Sequence, residues 1–280
     1  MITIVNAELS LTIATALCYF LAAVGYGAFM MLRTKGLVRA ARLATAIGVV
    51  CHTCAIGFHC ATTHETPFMT PADTLSATAW AIALAVLCLE ILIKTALPAI
   101  AAVSMPAAFL CLFTGTILRS KSAVGAAQST KLLNSGIVSL HVTAIILAFG
   151  LIVLAFASSV LYVAQNRILK HKHISGRLFG KLPPLVTLDH VSFVLTSFAF
   201  PLLTLGLFSG VIKATTNGWT GNWELDEKIV ASFLTWVVYG AYLALHGTSQ
   251  WRGLRSNYLV VIGLVLAVAT LFVPTAVHKF

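Results

Sequence analysis

Hydrophobic residues run along this chain in long, almost unbroken stretches separated by short polar breaks. Eight stretches stand out, at about 9–32, 40–60, 73–93, 96–118, 137–164, 191–213, 229–248 and 257–277. A helix needs roughly 20 mainly apolar residues to cross a bilayer, and each stretch supplies about that many. They are continuously apolar rather than alternating, so they predict helices and not the strands of a closed barrel. The expected fold is an all-α, polytopic membrane helix bundle of about eight transmembrane helices. It is read as a single integral membrane domain over residues 1–280, without an internal repeat.

The polar breaks predict an orientation. Arg33, Lys35, Arg39, Arg42, Lys94, Arg167, Lys170, Lys172, Arg177, Lys181, Arg252 and Arg255 fall on one side of the membrane. Arg119, Lys121, Lys131, Lys213, Lys228 and Lys279 fall on the other. Twelve against six assigns the first side to the cytoplasm and both termini to the outside. The N-terminus lacks a basic n-region and a small-residue cleavage site, so the first run is expected to stay as a span. Multi-pass insertion in the cell's inner (cytoplasmic) membrane is the expected location.

Composition agrees with this pattern and excludes several function classes. Of 280 residues, 59% are hydrophobic and 9% charged, where soluble domains carry roughly 25% charged residues. A net charge of +10 would suggest nucleic acid in a soluble protein, but basic residues placed between apolar runs are a topology signal, so nucleic acid is set aside as a partner. The cysteines lie mostly inside apolar runs and suit packing better than a disulfide framework, Cys51 and Cys54 included. No nucleophile elbow, phosphate loop or H-E-x-x-H motif is present, and hydrolysis and nucleotide-driven work are excluded with them.

Two outer connections carry chemistry. Residues 60–73 hold His64, Glu65, Pro67, Pro71 and Asp73 and no Lys or Arg. Residues 214–228 combine Gly and Asn with Trp219, Trp223, Glu224, Asp226 and Glu227. Those carboxylates could cap the seventh helix and the tryptophans could anchor at the interface.

Nine histidines are many for so apolar a chain, and an ionisable residue within a span is a functional candidate because burying it is costly. His52 lies near the middle of the second span and His246 toward the cytoplasmic end of the seventh. His141 stands at the outer entrance of the fifth and His278 at the outer exit of the eighth. Neutral imidazole ligates iron, zinc or copper. Haem suits the setting better than zinc, because a porphyrin offers an apolar face on which tryptophans stack. His141 and His278 over the Trp219–Trp223 loop would then make one axial site, with Lys213, Lys228 or the basic 119–131 segment meeting the propionates. His59 and His64 with Cys60 are further candidate metal ligands, at a spacing that fits no strong zinc pattern. His171 and His173 read as part of a solvated basic loop, and His190 after Asp189 as a helix cap.

From His141 onward the chain resembles the cytochrome c assembly family of haem-handling membrane proteins, in the branch containing the CcsA and HemX-like proteins. The residues that carry the resemblance are Leu140-His141-Val142-Thr143, then Lys181-Leu182-Pro183-Pro184 through Asp189. Phe200-Pro201 through Gly206 and Gly210 follow, then Leu234-Thr235-Trp236, Leu245-His246, Trp251-Arg252-Gly253 and His278. It is best over 137–280. The family motif W-G-x-x-W-x-W-D-P-K-E is matched at Trp219, Trp223, Asp226 and Lys228, with Leu225, Glu227 and Ile229 in place of the third tryptophan, the proline and the last glutamate.

The resemblance implies non-covalent haem b, an outer histidine pair, His141 and His278, and a membrane pair, His52 and His246. It implies a role in presenting haem to apocytochrome c beside a second membrane protein of cytochrome c assembly, at most as the membrane component of a haem lyase. The altered motif keeps a HemX-like regulator or scaffold open, and a b-haem electron-transfer subunit is the third alternative.

Overall fold

The structure, a computed structural model, describes residues 2–63, 70–92, 97–122, 136–170, 182–216, 226–248 and 251–272. Among these residues all regular structure is helical: α1 (Ile2–Leu32), α2 (Lys35–Thr63), α3 (Pro71–Leu92), α4 (Leu97–Ser122), α5 (Gly136–Lys170), α6 (Leu185–Thr216), α7 (Glu227–His246) and α8 (Leu254–Phe272). Seven of the eight, α1 to α7, are long and apolar enough to cross a membrane. The eighth is apolar and shorter over its described length. The chain is therefore a multi-pass membrane protein, as the hydrophobic runs predict.

Helix ends fall where the local chemistry stops them. Between α1 and α2 only Arg33 and Thr34 are non-helical, and Arg33 takes the left-handed conformation (φ 56°) while its N–H reaches back to the Phe29 carbonyl. That single bond closes the last turn of α1 without a glycine. Pro183 and Pro184 immediately precede α6, where a missing N–H does no harm. Asp226 caps α7, its side chain accepting from the Lys228 N–H at 3.0 Å. This is the capping role anticipated for the acidic run. Gly253 (φ +85°) turns the chain into α8, directly beneath the Tyr162 hydroxyl.

The helices group into two compact units, Met1–Ser135 and Gly136–Phe280. In the first, Glu8, His59, Asp73 and Arg119 meet, so the start of α1, the end of α2, the start of α3 and the end of α4 share one end. Close packing there rests on small residues, as expected where lipid removes most of the hydrophobic drive between helices. A methyl on Gly25 would lie 3.0 Å from Ala41 Cβ, and one on Gly48 would run into the Tyr19 ring at 2.8 Å. Large apolar side chains such as Leu21, Val50 and Ile91 are exposed on the outside of this unit, the surface that lipid covers.

In the second unit α5 and α6 form the central pair. Ser158 donates to the Leu188 carbonyl at 2.8 Å, and the Ser159 and Ser192 hydroxyls bond at 2.8 Å. Buried Ala148, Ala155 and Ala199 line the same region. Trp236 of α7 stacks on Phe200 and donates to Thr204, both of α6.

Candidate functional site

The three described candidate histidines differ in which ring nitrogens remain available. His141 stands in the second turn of α5, against the late part of α6. Its Nδ1 lies 2.6 Å from the Gly206 carbonyl oxygen. A carbonyl can only accept, so Nδ1 carries the proton and Nε2 keeps its lone pair. Among the described residues nothing bonds Nε2. The ring rests on Gly210, where a methyl group would sit 2.8 Å from Cε1 and from Nδ1. Lys228, from the first turn of α7, lies within electrostatic reach of the ring. Asp226 is held at the N-terminus of the same helix. Trp219, Trp223 and His278 lie outside the described residues.

His246 closes α7 at the opposite end of this unit. Its Nε2 donates to Asp189 Oδ2 at 3.1 Å, while Asn257 Nδ2 of α8 donates to Asp189 Oδ1 at 2.7 Å. Phe193 stacks flat on the imidazole, with centroids 4.5 Å apart and planes 15° apart. One carboxylate thus ties α6, α7 and α8 together. Asp189 is the fifth residue of α6, inside the helix and not before it, because its charge has partners there.

His52, in the middle of α2, is only 2% exposed. Tyr19 Oη stands 3.1 Å from Nδ1 and Ser76 Oγ 2.9 Å from Nε2. Both nitrogens are occupied, whichever tautomer is present. The structure therefore places His52 and His246 in separate units, each within a side-chain hydrogen-bond network. His141 alone of the three combines an anchored Nδ1 with an unbonded Nε2. That is the arrangement in which a second partner orients a metal-ligating imidazole.

The first unit also contains a cluster whose pairing the sequence does not foreshadow, and it engages Arg119, expected in the propionate-binding segment, with acids of the protein itself. Arg119 donates to Glu8 Oε1 at 2.8 Å and to Asp73 Oδ1, and His59 Nδ1 lies 3.1 Å from Glu8 Oε1. The Thr70 hydroxyl and N–H donate to the other Asp73 oxygen at 2.7 and 3.2 Å. At the other end of the unit Glu90, 6% exposed, accepts from Tyr26 at 2.8 Å and from Arg42 at 2.9 Å. Among the described residues no group of three or more His, Cys, Asp or Glu is arranged to hold a metal ion. His59 has carboxylate partners instead, and His64 lies outside the described residues. A signal was available in the isolated acids, since Glu90 sits inside an apolar run and Glu8 directly before one, where a carboxylate needs a partner.

A family model described as Cytochrome C assembly protein matches residues 68–278, three quarters of the chain. The chain belongs to the cytochrome c assembly protein family. Among its relatives is the cytochrome c biogenesis protein CcsA of Guillardia theta, 28% identical over 187 residues, covering 62% of each chain. The CcsA protein of Chlamydomonas reinhardtii is 27% identical over 134 residues, covering 48% of this chain and 36% of the relative. That of Synechococcus elongatus is 38% identical over 77 residues, 28% of this chain and 23% of the relative. The match thus spans less than two thirds of these relatives' own lengths. The family match includes all of the second unit as far as residue 278 and only the part of the first from residue 68 onward.

The His141 environment fits a haem ligand by the chemistry of its donor set. Nδ1 is fixed by a backbone carbonyl and Nε2 is left for iron, with a lysine nearby that suits an anionic propionate.

Proposed function

We propose that this protein is a haem-binding membrane component of c-type cytochrome biogenesis. It holds haem b non-covalently at the outer membrane face for attachment to apocytochrome c. His141 and His278 would supply nitrogen ligands to the iron, Trp219 and Trp223 a stacking surface, and Lys228 a counter-charge for a propionate. The observation that carries this reading is the unbonded Nε2 of His141 beside an Nδ1 already committed to the Gly206 carbonyl. The relatives named CcsA are cytochrome c biogenesis proteins, and haem is the group whose delivery that assembly requires.

Bound in this way, haem would supply vinyl groups able to take the thiols of an apocytochrome. The chain's own residues bind and orient. The Gly206 carbonyl holds the imidazole tautomer, and the N-terminus of α7, capped by Asp226, fixes where Lys228 begins. A second membrane protein of the same assembly pathway would bring the apocytochrome. His52 and His246 are each committed to hydrogen bonds, so in this reading either would bind iron only after local rearrangement. Ser76 or Tyr19 would release His52, and either Asp189 would release Nε2 of His246 or Nδ1 would serve. The inner membrane, with both termini outward, is the setting that the distribution of basic residues favours.

The test is a reduced-minus-oxidised absorption spectrum of the purified protein, with a pyridine haemochrome assay for stoichiometry. Sharp low-spin bands that His141→Ala abolishes are expected. A colourless protein, after haem has been supplied during expression, would overturn the proposal.

Leu225, Glu227 and Ile229 in place of the motif's third tryptophan, proline and glutamate favour one other reading, a HemX-like regulator or scaffold without haem. Its contact surface would be the basic 165–190 segment. Charge reversal at Lys170, Lys172 and Arg177 would then abolish capture of its partner complex and leave haem content at zero throughout.

A further inference from the structure

We infer that Gly206 and Gly210 form a seat on α6 that positions His141, Gly210 by uncovering a backbone carbonyl and Gly206 by presenting it. The inference rests on the reading of His141 as a haem ligand and deepens it.

Residues four apart lie on one face of a helix, one turn above another. In such a helix the Cα–Cβ bond of each residue tilts toward the N-terminus, so its side chain lies over the preceding turn. At most positions that side chain hides the carbonyl four residues earlier from a neighbouring helix. Gly210 has none, and the Gly206 carbonyl stands open to α5. It accepts from His141 Nδ1 at 2.6 Å, and the Ser209 hydroxyl also lies 2.8 Å from it. The same missing side chain leaves room for the ring, because a methyl at 210 would be 2.8 Å from two imidazole atoms.

Gly206 has a second task. A methyl there would meet Ile145 Cγ1 at 2.6 Å and the His141 carbonyl oxygen at 3.4 Å, so its bareness sets how closely the first turns of α5 approach. The two glycines act differently. The obstacle at 206 is Cγ1 of Ile145, next to the branch point of a side chain that is stiff in a helix, so a methyl there would push on α5 itself. At 210 the obstacle is the functional ring itself.

Positioning can therefore be separated from packing by experiment. In Gly210→Ala the imidazole is pushed off the carbonyl. The purified protein should show a six-coordinate low-spin spectrum converted to five-coordinate high-spin, with added imidazole restoring the low-spin bands. Gly240→Ala, whose methyl would crowd the Phe200 ring at 3.3 Å without reaching His141, should keep the low-spin spectrum and lose only thermal stability. A residue that merely packed would lower yield and unfolding temperature without an imidazole-reversible spectral change.

A wild-type spectrum in Gly210→Ala overturns the inference and leaves the haem reading standing. A colourless wild type overturns the haem reading and this inference with it. If Gly210→Ala does not accumulate, the double variant Gly210→Ala/His141→Ala should, since the ring that the methyl strikes is gone. Failure of the double variant as well would place the fault in backbone packing and refute the seat.

Discussion

The two units solve the same problem, polar groups inside an apolar protein, in opposite ways. In the first, among the described residues, the buried and clustered groups are paired across helices: Glu8 and Asp73 with Arg119 and His59, Glu90 with Tyr26 and Arg42, His52 with Tyr19 and Ser76. In the second unit, pairing is incomplete. Nε2 of His141 is unbonded among the described residues. Every buried side-chain oxygen that lacks a partner among those residues also lies in this unit, Thr196 Oγ1 and Tyr239 Oη among them. An unsatisfied buried polar atom costs about 1–3 kcal/mol, so the two halves differ in how far their own side chains meet that cost. The first half pairs its polar groups within the protein, and the second leaves several without a partner among the described residues.

That contrast can be broken most directly at its two extremes. Replacing His141 with alanine should lower bound haem by about tenfold or more, since an iron–nitrogen bond is worth well above the 1.4 kcal/mol that a factor of ten represents. The unfolding midpoint should barely move, because the lost bond is a single one to a backbone carbonyl. Haemochrome content and a thermal melt on the same sample separate the two effects.

Arg119→Ala should do the reverse, leaving haem content per folded molecule intact and destabilising the first unit by about 2 kcal/mol. Stranding a fully buried partner typically costs about 3–5 kcal/mol. The figure is smaller here because 40% of the Arg119 side chain is exposed and solvent screens what remains. Arg119→Lys should recover part of the loss, as lysine keeps the charge without the fork that spans Glu8 and Asp73. Equal stability of wild type and Arg119→Ala in detergent unfolding would contradict the description of this unit as internally paired.

His52→Ala removes two hydrogen bonds, about 1–2 kcal/mol in total. It should leave the outer-site haem spectrum unchanged, and a fall in low-spin haem in proportion to that of His141→Ala would show that His52 leaves Tyr19 and Ser76 to bind iron. The smallest effect is expected for Asn257→Ala, about 1 kcal/mol. It takes one partner from Asp189 while His246 keeps the other. Proteolysis near the α7–α8 turn would detect that loosening before a global melt does.

How much of this was legible in the sequence follows from the range of each interaction. The apolar runs revealed the helices because span length is a local property that the bilayer enforces. Their ends were less legible. The sixth run was expected from 191, whereas α6 begins at Leu185, because Asp189 and His190 look like loop residues until His246 and Asn257 are seen to neutralise the acid. In the sequence Arg119 belongs to a basic segment suited to a topology count or to propionates, and Asp73 to an outer connection. Their pairing joins residues 46 positions apart, a distance over which no periodicity carries information. His141 was found from its place at a span entrance. Its significance over His52 and His246 depends on which nitrogen is bonded, which only three-dimensional structure reveals.

Gly253 carries a consequence for how this chain can vary. With φ at +85° and the Tyr162 hydroxyl 2.7 Å from where a Cβ would stand, it combines a backbone that L-residues avoid with a space already filled. Gly27 and Gly57, which face open space, have neither constraint. In a saturation library selected for accumulation of folded protein, positions 27 and 57 should return a broad spread of residues. Position 253 should return glycine almost exclusively, with other residues surviving only where Tyr162 has been shortened in the same clone.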